Sequence, residues 1–158
     1  MKKIAVFPGS FDPITRGHES IIRRALPLFD VLYIAIGLNA EKQGFFMVDQ
    51  RIQWIKMVFA KEPRVAVYQY EGLTVDFCRK HNAGYILRGL RTSADFEFER
   101  SIGQVNKKLN PEIETVFLLT DPEYSSLNSS IVRDIIRHGG DPGQFVPRQV
   151  NLKNVPFG

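Results

Sequence analysis

A loop near the start of the chain, residues 7–18, combines small residues with an imidazole. An apolar run at residues 4–7 precedes it, and residues with the spacing of one helix face follow it: Ile21, Ile22, Ala25 and Phe29. The pattern predicts a buried strand, a tight loop, and a helix that begins near Gly17 and His18. A helix N-terminus presents free N–H groups and a partial positive charge, which suit a phosphate. We interpret this loop as a phosphate site to which His18 adds one more donor.

The loop is neither of the two common phosphate-binding loops. The chain has no Gly-x4-Gly-Lys-Ser/Thr sequence and no Gly-x-Gly-x-x-Gly sequence. The alternative is a strand–turn–helix connection in which the glycines and prolines serve the turn alone. Short motifs produce false positives, so the rest of the chain has to be weighed with this one.

Length and composition set the frame for this site. The 158 residues fit one domain, 1–158, with a C-terminal tail predicted from about residue 141. An apolar content of 44% and a charged content of 24% are ordinary for a globular protein. The single cysteine, Cys78, excludes an internal disulfide. Because no apolar run is long enough to span a membrane and no signal peptide is evident, we expect a cytoplasmic protein with no membrane partner.

Five apolar runs alternate with segments of helical spacing. The runs at residues 4–7, 31–38, 65–68, 85–87 and 115–119 are interpreted as strands. The longest helix is predicted over residues 94–109, from the spacing of Phe98, Ile102, Val105 and Leu109. This alternation predicts an α/β fold, a single-domain Rossmann-like sheet of five parallel strands with helices on both faces. Asp49 is a candidate cap of the second helix, and Asn128 or Ser129 of the last.

Polar side chains follow four of the five predicted strands. In parallel sheets a ligand binds outside the carboxyl ends of the strands, where the strand order reverses. The loops after strands one, two, four and five contain, in order, Ser10 with His18, Lys42, Arg88 with Arg91, and Tyr124 with Ser130. We therefore predict one composite anion site at this edge of the sheet.

The fourth of these loops contains Arg88-Gly89-Leu90-Arg91. Two guanidiniums around a turn suit bidentate phosphate recognition, although an isolated pair of this kind is more often solvated. Glu97 and Glu99 follow in the next helix, and residues two apart do not share a helix face. The two carboxylates are therefore not an acid–base pair.

Four separate motifs resemble those of one family. The loop Gly9-Ser10-Phe11-Asp12-Pro13 with Thr15-x-Gly17-His18 is similar to the T/H-x-G-H signature of the nucleotidyltransferase superfamily, and most of all to bacterial phosphopantetheine adenylyltransferases. That family also carries an R-G-L-R motif followed by D-F-E-x-E, which residues 88–91 and 95–99 match. Its W/Y-x-x-(I/L)-S-S-S stretch matches residues 124–130, with Asn128 in place of the first serine and Ser10 where many members have threonine. The resemblance covers about residues 3–147.

The resemblance implies an enzyme of coenzyme A biosynthesis with a nucleotidyltransferase fold. Members transfer the adenylyl group of ATP to 4′-phosphopantetheine, which gives dephospho-coenzyme A and pyrophosphate. It further implies Mg²⁺ on the ATP phosphates without a dedicated protein site, a homohexamer, and inhibition by coenzyme A.

The resemblance also implies roles for individual residues. The catalytic residues would be His18, Lys42, Arg91 and Ser10. The residues that would bind ATP are Ser10, Phe11, His18, Gly89, Leu90, Arg91, Glu99, Tyr124, Ser125, Ser126, Leu127, Asn128, Ser129 and Ser130. The residues that would bind phosphopantetheine are Ser10, Lys42, Thr74, Arg88 and Asn106.

Three other functions are weighed against this one. A relative with the same loop could transfer AMP or CMP to another phosphate acceptor, but the block from Arg88 to Glu99 disfavours this. The net charge of +4 would also suit a non-catalytic nucleic-acid-binding domain, although the basic residues are dispersed. A dinucleotide-dependent oxidoreductase is disfavoured because the chain lacks the glycine fingerprint.

Overall fold

Five parallel strands form the sheet of the computed structural model, which describes residues 1–39 and 41–158. The strands are β1 (Ile4–Gly9), β2 (Val31–Gly37), β3 (Val65–Tyr70), β4 (Tyr85–Leu90) and β5 (Glu114–Leu119). The helices are α1 (Arg16–Ala25), α2 (Val48–Val58), α3 (Thr74–Lys80), α4 (Ser93–Leu109) and α5 (Ser129–Arg137). The strand order is β3-β2-β1-β4-β5, so the order reverses between β1 and β4. The predicted α/β architecture is confirmed.

Hydrophobic cores lie on both faces of the sheet, because successive strand residues point to opposite sides. Ala5 and Phe7 of β1 belong to one core, to which α1, α2 and α5 contribute residues such as Ile22, Ile55 and Val132. Val6, between them, belongs to the second core, together with residues of α3. The apolar spacing seen in the sequence thus places helices on both sides of the strands.

The strands that flank the reversal point are longer than the sequence predicts. β1 continues through Pro8 and Gly9, and β4 continues through Arg88, Gly89 and Leu90. The prediction that Arg88-Gly89-Leu90 lies in the turn after the strand is therefore wrong, because these three residues pair in register with β5.

The start of α2 also differs from the prediction. The residue before its first turn is Met47, whose side chain makes no capping hydrogen bond, and Asp49 lies inside the first turn. An acidic side chain there still favours the helix dipole. In α5, by contrast, the side chain of Asn128 accepts a hydrogen bond from the backbone N–H of Ile131, so Asn128 is the cap, one of the two predicted.

The apolar stripe of α4 faces away from both cores. Its four residues are 40–67% exposed: Phe98, Ile102, Val105 and Leu109. The one buried residue of this helix is Glu99. The spacing of the stripe correctly predicts the helix, but these four residues belong to neither hydrophobic core. None of the described helices is long and apolar enough to cross a membrane.

Candidate active site

A crevice opens where β1 and β4 separate at their carboxyl ends. β1 pairs in register with β2 along its whole length, but with β4 only at Ala5 and Val6. Pro8 follows, and proline has no N–H to donate to a neighbouring strand. Its carbonyl instead accepts a hydrogen bond of 2.6 Å from Nη1 of Arg88, whose side chain fills the gap. At the reversal of strand order, the side chain of Arg88 in β4 therefore bonds to β1.

Two cavities meet at this crevice and share one wall, formed by Pro8, Gly9, Arg88 and Glu99. The first, of about 280 Å³, we name the polar cavity. Its remaining lining residues are Phe7, Ser10, Phe11, Thr15, Gly17, His18, Ile21, Gly89, Arg91, Asp95, Thr120, Leu127 and Asn128. The second, of about 250 Å³, we name the apolar cavity. Its remaining lining residues are Gly37, Tyr70, Thr74, Ile86, Ile102, Gly103, Asn106 and Thr115.

Many of the predicted site residues line these cavities, and others do not. The polar cavity includes several residues expected at the nucleotide: Ser10, Phe11, His18, Gly89, Arg91, Glu99, Leu127 and Asn128. The apolar cavity includes three residues expected at the acceptor: Thr74, Arg88 and Asn106. Neither lining includes Lys42, Leu90, Tyr124, Ser125, Ser126, Ser129 or Ser130. Roles for all of these residues stay predictions.

His18 is held in one tautomer at the start of α1. The side chain of Thr15 caps the helix by accepting from the backbone N–H of His18, and the backbone N–H of Thr15 donates to Nδ1 of His18 at 3.0 Å. Nδ1 is therefore an acceptor, which leaves the proton of the neutral ring on Nε2. Burial, followed by the charges of Arg88 and Arg91, lowers the pKa of His18 to about 4. At neutral pH the ring is an uncharged donor.

Arg88 and Glu99 form a close ion pair in the shared wall. Nε of Arg88 donates to one carboxylate oxygen of Glu99 at 2.8 Å, and Nη2 donates to the other at 2.5 Å. The Glu99 side chain is 9% exposed. Arg91, the second arginine of the motif, lies 3.4 Å from the carboxylate of Asp95. Each guanidinium of the site thus has one carboxylate partner.

Asp12 joins the loop after β1 to the loop after β2. Its buried carboxylate accepts hydrogen bonds from the backbone N–H groups of Phe45, at 2.6 Å, and Phe46, at 2.9 Å. Arg51 of α2 lies 3.8 Å from the same carboxylate and donates to the carbonyl of Ser10. The sequence shows Asp12 only as part of a motif, since nothing local predicts that it pairs across more than thirty residues.

The loop that carries Lys42 is also held by the end of the chain. The ring of Phe157 stacks on Phe45 with 4.7 Å between centroids, and the backbone N–H of Gly158 donates to the carbonyl of Phe45. Lys42 itself is exposed. The C-terminal segment, to which no function was assigned from the sequence, therefore contacts a loop of the predicted site.

A second helix N-terminus approaches the polar cavity from the β5 side. Asn128 lines the cavity, and the hydroxyl of Ser129 donates to the carbonyl of Pro13, which ties α5 to the loop after β1. The hydroxyl of Ser130 is exposed and accepts from Arg133. With α1, two helix starts lie at one cavity, which suits a polyanionic ligand.

Several lining residues were not predicted. In the apolar cavity, the hydroxyl of Tyr70 lies 2.8 Å from that of Thr74. In the polar cavity, Thr15, Asp95 and Thr120 add polar groups. Asp95 and Thr15 lie within the recognised motifs, whereas Tyr70 ends an apolar strand and has no local signal. Among residues 1–39 and 41–158, no group of three or more His, Cys, Asp or Glu side chains is arranged to hold a metal ion.

Comparisons with known proteins agree with this fold. The sequence model of the cytidylyltransferase-like family matches residues 6–135. The fold is similar to that of a solved structure from Vibrio parahaemolyticus, described as a nicotinate-nucleotide adenylyltransferase, with a TM-score of 0.68 and 18% sequence identity. The match covers 94% of this chain and 96% of that one. At this identity the likeness supports the fold alone.

Curated relatives are much closer in sequence. The phosphopantetheine adenylyltransferase of Flavobacterium johnsoniae is 56% identical over 94% of this chain and 97% of its own length. That of Cytophaga hutchinsonii is 48% identical over 95% of this chain and its entire length. That of Leptospira biflexa is 49% identical over 93% and 92% of the two chains. With near-complete coverage on both sides, the chain belongs to the phosphopantetheine adenylyltransferase family of nucleotidyltransferases.

Proposed function

We propose that this chain transfers the adenylyl group of ATP to 4′-phosphopantetheine, releasing pyrophosphate and forming dephospho-coenzyme A. The observation that carries this proposal is the pair of cavities with a common wall at Arg88. The polar cavity has two helix N-termini and an arginine for a triphosphate. The apolar cavity suits a pantetheine arm, whose phosphate would lie at Arg88.

The chemistry requires no general base. A phosphate monoester has a second pKa near 6 and is mostly dianionic at neutral pH. One of its oxygens attacks the α-phosphorus, and the bond from that phosphorus to the bridging oxygen of the β-phosphate breaks as pyrophosphate leaves. The main obstacle is repulsion between anions, on the order of 4 kcal/mol for two unit charges about 4 Å apart at an effective dielectric near 20. Positioned cations and donors have to offset it.

The residues divide this task by location. Lys42 and Arg88 hold the attacking phosphate, and Ser10 orients it toward the α-phosphorus. His18 donates its Nε2 proton in a hydrogen bond to the α-phosphate, where negative charge develops. Arg91 and Ser130 hold the leaving β- and γ-phosphates, and Tyr124 seats the nucleotide. The tautomer of His18 supports its role at the α-phosphate, because the neutral ring already carries a proton on Nε2 that it can donate in a hydrogen bond.

Mg²⁺ is proposed on the triphosphate, where it would neutralise charge on the phosphate oxygens. The acidic groups that line the polar cavity are Asp95 and Glu99, and each pairs with an arginine. Magnesium in nucleotide sites is commonly bound by phosphates, water and one or two carboxylates, so this donor set fits the ion. Of the two carboxylates, that of Asp95 would be the better candidate to face the ion, because it is the less buried.

A homo-oligomer, which the resemblance specifies as a hexamer, is proposed from the exposed stripe of α4. Apolar side chains along one face of a 17-residue helix are a usual mark of an interaction surface. Sedimentation of the wild type and of a Val105→Glu variant tests this, since the variant should shift to smaller species.

Inhibition by coenzyme A and a cytoplasmic location also stay proposals. Adding coenzyme A to the assay tests the inhibition.

The proposed reaction is tested by measuring pyrophosphate release. ATP with phosphopantetheine should support release, and omission of the acceptor should abolish it. CTP in place of ATP, and nicotinamide mononucleotide in place of phosphopantetheine, test for transfer of another nucleotide or to another acceptor. Release with either substitute at a rate equal to that of the proposed pair would overturn the assignment.

A further inference from the structure

We infer that Glu99 is a positioning residue for the acceptor phosphate, which it serves by fixing the guanidinium of Arg88. The inference rests on the proposed function and deepens it. The resemblance assigns Glu99 to ATP, and in the structure each of its carboxylate oxygens accepts a hydrogen bond from Arg88.

The first step is the count of N–H groups on Arg88. A guanidinium has five, of which Nε and Nη2 each give one to Glu99 and Nη1 gives one to the carbonyl of Pro8. One N–H on Nη1 and one on Nη2 remain. These two N–H groups are the donors left for the acceptor phosphate, and a guanidinium suits bidentate phosphate recognition. Glu99 and Pro8 thus determine which part of Arg88 is left for a ligand.

The second step is the burial of the pair. The side chain of Glu99 is 9% exposed, whereas that of Glu97, two residues earlier in α4, is 76% exposed. A carboxylate that is removed from water needs a strong partner, and Arg88 is the partner that the structure provides. We infer that this carboxylate is buried because it orients Arg88 in the site.

The third step is the location. Arg88 and Glu99 lie in the wall between the two cavities, so their orientation fixes the point where the two substrates meet. Glu99 also offsets the charge of Arg88. Arg88 therefore contributes direction more than net charge.

Steady-state kinetics of Glu99→Gln test the inference, with Glu97→Gln as the matched control on the same helix. The amide keeps the size of the side chain but replaces one acceptor by a donor that opposes Nε or Nη2. We expect the KM for phosphopantetheine to rise by about tenfold or more, with the KM for ATP changed less than about twofold. Glu97→Gln should change neither value.

A double variant separates positioning from a structural role. If Glu99 acts through Arg88, the substitution Glu99→Gln should raise the KM for phosphopantetheine much less in the Arg88→Lys variant than in the wild type. Additive effects of the two substitutions would overturn the inference, as would a rise in the KM for ATP instead. Thermal unfolding of each variant identifies any that does not fold, and Glu99→Asp then replaces Glu99→Gln, with an intermediate KM expected. If wild-type protein releases no pyrophosphate with these substrates, it is the proposed function that fails.

Discussion

The backbone N–H of Thr15 donates to Nδ1 of His18 across 3.0 Å, three residues apart at the start of α1. This backbone N–H fixes the tautomer of the imidazole, because Nδ1 has to accept the hydrogen bond. Its consequence is that Nε2 of the neutral ring bears the proton. The helix start therefore provides a donor that does not depend on the protonation of His18.

The lowered pKa of His18 makes stability depend on pH in a defined direction. Its pKa is about 4 in the folded chain and 6.5 ordinarily, so the unfolded chain binds more protons between these values. The free energy of unfolding should therefore fall as the pH decreases from about 6.5 to 4, by up to a few kcal/mol. Urea denaturation at several pH values measures this.

The control for this experiment removes the titrating group. His18→Gln should flatten the pH dependence in that window, whereas His138→Gln, at an exposed position, should leave it as in the wild type. An unchanged slope in His18→Gln would show that the imidazole of His18 is not its source.

Asp12→Asn should destabilise the fold. The amide loses one of two acceptors for the Phe45 and Phe46 N–H groups and leaves Arg51 without its carboxylate in a buried setting. We expect a loss of about 2–4 kcal/mol in the free energy of unfolding, from the cost of an uncompensated buried charge. Asp76→Asn is the control, because Asp76 pairs with Arg79 at an exposed site. Equal effects in the two variants would contradict the role given to Asp12.

Gly89→Ala should be destabilising for a reason that the sequence does not reveal. From the sequence, Gly89 is expected as one of the residues that bind ATP. In the structure a Cβ there would lie 3.3 Å from Cγ1 of buried Ile21, so the glycine admits α1. We expect a cost of about 1–3 kcal/mol by denaturation. Gly84→Ala, where no atom lies within 4 Å, should cost nothing, and a similar loss there would refute this explanation.

The sequence predicts the elements well because their signals are local. Apolar runs and helical spacing depend on neighbouring residues, so all five strands and the capping by Asn128 are found. The ends of β1 and β4 are missed because Pro8 and Gly89 normally indicate a turn. Here their strands have neighbours on both sides, and register with β2 and β5 extends them.

The candidate site is only partly predictable, because sequence signals are local and several contacts of the site are not. Ser10, His18 and Arg91 are found because they belong to compact motifs at strand ends. The pairing of Glu99 with Arg88, and of Asp12 with Phe45 and Phe46, joins segments that are distant in the chain. Such contacts depend on the strand order, which periodicity does not specify.

Phe157→Ala should weaken the use of phosphopantetheine without changing the fold. Its ring stacks on Phe45 in the loop that carries Lys42, so its loss frees that loop. We expect a several-fold rise in the KM for phosphopantetheine and a similar kcat. Leu28→Ala, an apolar residue that is equally exposed, is the control. A KM equal to that of the wild type would separate the C-terminal segment from the function of Lys42.

Pyrophosphate release by the wild type and by His18→Ala, with and without phosphopantetheine, tests the central claim most directly. We predict release that requires the acceptor, and a kcat about 10²- to 10³-fold lower in His18→Ala, with ATP binding retained. Release that does not need the acceptor, or an unchanged kcat in His18→Ala, would contradict the account.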